Sequence, residues 1–95
     1  MTWIMDIDML GMEPAEPPNS FEIAFDVTFP GETWCRSLVY VSSEVVLASE
    51  FELVAAARDA LIAVIDREGR PVSVTMRLGP SGAEVLSVAA PGCER

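Results

Sequence analysis

The clearest pattern in the chain is an alternation: Phe21, Ile23, Phe25, Val27 and Phe29 recur at every second position against Glu22, Ala24, Asp26 and Thr28. Successive strand side chains point to opposite faces, so this run predicts a strand with one face in a core and the other in water. Pro30-Gly31 suits the centre of a type II turn, because proline presets the first φ and glycine accepts a positive second φ. A second strand is expected over about 33–42 as an antiparallel partner, with a short further strand at 44–47. Ser49 and Glu52 then form a Ser-x-x-Glu capping box ahead of Val54, Ala57, Leu61, Val64 and Ile65, which fall at helical spacing. They predict a helix over about 50–68, with Glu52, Asp59 and Asp66 on its far side. Gly69 suits the C′ position, Arg67 and Arg70 lie near the negative end of the dipole, and Pro71 prevents continuation. Val72, Val74, Met76 and Leu78 alternate with Ser73, Thr75 and Arg77, and after the turn-forming Gly79-Pro80-Ser81-Gly82 a last strand is expected over about 83–89.

The resulting order, β-β-(β)-α-β-β, defines an α+β fold: a two-layer sandwich in which a single helix covers one face of a mostly antiparallel sheet of four to five strands. Residues 11–20 carry three prolines and no apolar period, which reads as a linker. The domain reading is therefore an acidic and apolar segment with a Pro-rich linker over 1–20, one α+β domain over 21–90 and a tail over 91–95. The segment Trp3 to Leu10 mixes large apolar residues with Asp6 and Asp8. Two readings stay open for it: a strand of the domain's own sheet or of a second copy's, and a recognition peptide that docks on a partner.

The strand at 33–42 is apolar on both faces. Either Cys35, Val39 and Val41 face the helix, or Trp34, Leu38 and Tyr40 do. With the first set inward, Trp34, Leu38 and Tyr40, joined by Leu86 or Val88, form an apolar patch rimmed by Arg36 and Arg77, and Trp, Tyr and Arg are enriched at interaction hot spots. The candidate protein-binding residues are thus Trp34, Leu38, Tyr40 and Arg36 on this strand, with Trp3, Asp6 and Asp8 in the N-terminal segment.

Charge sharpens this reading. The net charge is −9, and seven carboxylates precede the first arginine, Arg36. Such a field repels nucleic-acid phosphates and anionic membranes and attracts basic protein surfaces. The chain also contains no lysine and no histidine, which removes the commonest general base and Schiff-base chemistry. Asp6-x-Asp8 lacks a third spaced ligand for a cation, and residues 79–82 lack the Gly-Lys-Ser/Thr of a phosphate loop. Arg67, Arg70 and Arg77 could clamp an anion, but capping the helix and pairing with Asp66, Glu68 or Glu84 is the simpler role. No catalytic, cofactor-binding or metal-ligating residue is assigned; the one carboxylate singled out for catalysis, should any exist, is Asp26, beside the possible Trp34/Tyr40 patch.

With 51% apolar residues the chain should fold. At this length a homodimer is expected, because a small domain with a two-faced apolar strand leaves surface to bury. No secretory signal or membrane span is visible, which points to the cytoplasm, and there Cys35 and Cys93 would be free thiols. The expected function is a non-catalytic acidic protein-binding module of the inhibitor type that occupies a basic partner surface. Antitoxins, immunity proteins and phage-encoded inhibitors, phage or bacterial in origin, are of this build. The alternative is a structural or accessory subunit of a larger assembly, followed by a small enzyme or ligand binder that uses carboxylates.

Overall fold

The computed structural model describes residues 6–15, 20–29, 33–43 and 50–89. They form β1 (Asp6–Ala15), β2 (Ser20–Phe29), β3 (Thr33–Ser43), α1 (Glu50–Glu68), β4 (Ser73–Gly79) and β5 (Gly82–Ala89). The strands lie side by side in the order β1-β2-β3-β4-β5. Three neighbouring pairs are antiparallel, and β3–β4 is parallel, from Val39 opposite Val74 to Ser43 opposite Leu78. A parallel pair cannot be joined by a tight turn, and α1 lies in the crossover between these two strands.

The alternation of β2 is realised as read: Ile23, Phe25, Val27 and Phe29 are buried, while Ala24, Asp26 and Thr28 are only partly covered and Glu22 is exposed. α1 packs against β3, β4 and β5. Its buried stripe is Leu53, Ala57, Leu61, Val64 and Ile65, with Val54 partly buried at the margin, so the stripe begins one residue earlier than the periodicity suggested. Gly69 adopts φ 72° and its N–H donates to the Ile65 carbonyl at 2.8 Å. This is the left-handed C′ closure that glycine accommodates without steric penalty.

The N-terminal segment departs from the linker reading. β1 continues through Gly11 and Pro14 to Ala15, so residues 11–15 belong to the sheet and the own-sheet reading of the segment holds from Asp6 onward. Pro14 is tolerated because β1 is an edge strand, where half of the backbone groups have no ladder partner. The register shifts between Met9 and Gly11, leaving Leu10 unpaired. Ile7 and Met12 both pack on the core although five positions separate them; a bulge reverses the parity of all that follows it, which hid the strand from a period-two reading.

Cys35 is buried and disulfide-bonded, which corrects the free-thiol expectation. Sequence separation says nothing about which cysteines meet in space. Cys93, the proposed short strand at 44–47, the Pro30-Gly31 turn, the Ser49 cap and Trp3 lie outside the described residues.

Candidate protein-binding face

β3 settles its own parity. Cys35, Ser37, Val39 and Val41 are buried on the helix side, whereas Trp34 is 48% exposed, Arg36 is exposed, and Leu38 and Tyr40 are half-buried. Trp34, Arg36, Leu38 and Tyr40 therefore line the face of the sheet turned away from α1. Val88 packs on the core and leaves the patch. Leu86 is half-exposed where the β4–β5 register shifts.

Directly opposed residues of an antiparallel ladder share a face, so the register extends this surface strand by strand. One row across β1, β2 and β3 reads Asp6, Thr28, Trp34; the next reads Asp8, Asp26, Arg36; then come Gly11, Ala24, Leu38; and then Glu13, Glu22, Tyr40. The structure thus gathers Asp6, Asp8, Trp34, Arg36, Leu38 and Tyr40, candidates from two separate segments of the chain. Two residues that sequence reasoning passed over, Glu13 and Glu22, join them. Glu22 is legible as a wet position of β2, but Glu13 falls in the stretch that reads as a linker, so their opposition has no sequence signal.

The electrostatics of the face are one-sided. Asp8 stands opposite Asp26 and Glu13 opposite Glu22, and like charges in directly opposed positions destabilise a sheet. Asp26 accepts a hydrogen bond from Arg36 Nε at 3.2 Å, and farther along the same face, on β4 and β5, Arg77 pairs with Glu84. Among the described residues no arginine forms a salt bridge to Asp8, Glu13 or Glu22. Arg67 and Arg70 both bind Glu68, each at 3.6 Å, so the three arginines divide between two carboxylates and do not converge as a clamp. Among the described residues no group of three carboxylate or cysteine side chains is arranged to hold a metal ion, and no helix is long and apolar enough to cross a membrane.

No protein-family model, curated protein or solved structure matches the chain.

Proposed function

We propose that the chain is a non-catalytic, acidic protein-binding module that covers a basic surface of a protein partner with its open sheet face, in the manner of an inhibitor. The observation that carries this reading is the juxtaposition of Trp34, Leu38 and Tyr40 with the unneutralised carboxylates of β1 and β2 on that face. Aromatic anchors supply contact energy, and the carboxylates supply orientation and a fast, salt-sensitive encounter. Antitoxins, immunity proteins and phage-encoded inhibitors are the inhibitor types this reading groups the chain with. The disulfide at Cys35 favours an oxidising compartment over the cytoplasm as the place of action.

A second reading, an accessory or self-associating subunit, is favoured by β5. This edge strand carries one charge, Glu84, held by Arg77, and presents the half-exposed Leu86. β1, the opposite edge, carries Asp6, Asp8, Glu13 and Pro14, the residue types that discourage edge pairing. A homodimer built on the open face would set carboxylates against carboxylates, so self-association belongs at β5.

Affinity capture from the native host separates the readings. Trp34→Glu should fold normally and lose the partner, while Phe51→Glu, a change at an 80% exposed position on α1, should retain it. A partner held equally by both variants would overturn the open-face reading.

A further inference from the structure

The chain holds two cysteines, and Cys35 is disulfide-bonded. Its side chain is buried on the helix side of β3, 5% exposed, which puts the sulfur out of reach of a second copy and leaves Cys93 as its partner. The place of Cys35 in the sheet gives that bond a task. The β3–β4 ladder covers only Val39–Ser43 of β3, whereas the β2–β3 ladder covers Thr33–Ser42. Leu38 N–H donates to Ser73 Oγ at 3.0 Å, so Cys35 lies farther down β3, past the start of β4. β5 ends at Ala89, opposite Ser73 and on the other side of β4. From Ala89 to Cys35 is thus two strand spacings across and three residues along, roughly 14 Å in all. The four residue steps from Ala89 to Cys93 span at most ~14 Å, and a disulfide adds about 5.5 Å between Cα atoms, so the tail reaches with about 5 Å of slack.

We infer that the Cys35–Cys93 bond is a redox latch that clasps the β4–β5 hairpin to the β1–β2–β3 half of the sheet across its one parallel pairing. In the oxidised chain a short covalent strap runs from the end of β5, past the start of β4, to β3. A dithiol reductant breaks the S–S bond, delivers two electrons and two protons to leave two thiols, and becomes a disulfide itself. The hairpin is then held by the short parallel ladder and by α1, whose buried stripe packs on β3, β4 and β5. The longer antiparallel ladders among β1, β2 and β3 involve no part of the strap. Reduction therefore loosens one half of the sheet and leaves the other paired.

Peptide mapping of the non-reduced full chain should recover Cys35 joined to Cys93, in a species whose intact mass is that of one chain less two hydrogens. Amide hydrogen exchange, followed by NMR, is then compared in the oxidised wild type, the wild type in excess dithiothreitol, and Cys93→Ser, which keeps the buried Cys35 thiol in place. In both forms without the bond, the amides of β4 and β5 and that of Leu38, which points at Ser73, should exchange about tenfold or more faster. The amides shared between β2 and β3 should keep their protection. Reoxidation should restore slow exchange in the wild type and not in Cys93→Ser. A bond between two chains would overturn the latch, as would exchange that fails to rise in β4 and β5. Exchange that rises equally in every strand, up to loss of the whole fold on reduction, would also overturn it, because the bond would then be a staple of the entire domain.

Discussion

Ser37 is the least expected residue of the core. It is fully buried on the helix side of β3, opposite Phe25, and its hydroxyl has no hydrogen-bond partner among the described residues. A buried donor left unpaired costs about 1–3 kcal/mol of desolvation that nothing returns. Ser37→Ala should therefore raise stability by about 1 kcal/mol, read as a higher denaturant midpoint at unchanged m-value; an unchanged or lower midpoint would mean that the hydroxyl is satisfied. Asp26 shows a polar residue already in use: its carboxylate accepts from Arg36 Nε, which gives this candidate acid an ion-pairing role on the face.

Among the elements, β1 joins the sheet against its own electrostatics, since two of its acids oppose acids of β2. Glu13→Gln should stabilise the free protein by about 0.2–1 kcal/mol at low ionic strength, with the gain fading as salt screens the wild-type repulsion. Thermal melts across a salt series check this, and a destabilised variant would show that Glu13 makes a favourable contact. β1 also marks the limit of what the sequence reveals. β2, α1 and β4 were legible because each keeps one uninterrupted period, and Phe21 to Phe29 announces its parity at once, whereas β5 was legible from the turn that precedes it although the register shift at Leu86 breaks its period. In β1 the unpaired Leu10 breaks the period and Pro14 imitates a linker. The binding face was legible only in part for the same reason. Trp34, Leu38 and Tyr40 could be grouped along one strand, but their parity needed the position of α1, and the opposed carboxylates needed a cross-strand register that no local pattern encodes.

For the molecule as a whole, the disulfide at Cys35 is a covalent support in a small domain whose core is one helix against one sheet. Its reduction should cost about 2–4 kcal/mol, seen as a lower melting temperature in dithiothreitol. An identical melt in reducing and non-reducing buffer would show that the bond contributes nothing to stability.

The single parallel pairing carries a kinetic consequence. Leu38 N–H donates to Ser73 Oγ across 35 positions of sequence, so the β3–β4 junction forms only after a long loop including α1 has closed, whereas β1, β2 and β3 can zip together through neighbouring hairpins. Parallel ladders are also slightly weaker per residue than antiparallel ones. The sheet thus has a seam between Tyr40 and Thr75, the last place to close and the first to open. Asp8, Glu13, Glu22 and Asp26 all lie on the β1–β2 side of that seam, so the acidic rows of the open face can survive a partial opening that parts the C-terminal hairpin from the rest of the sheet.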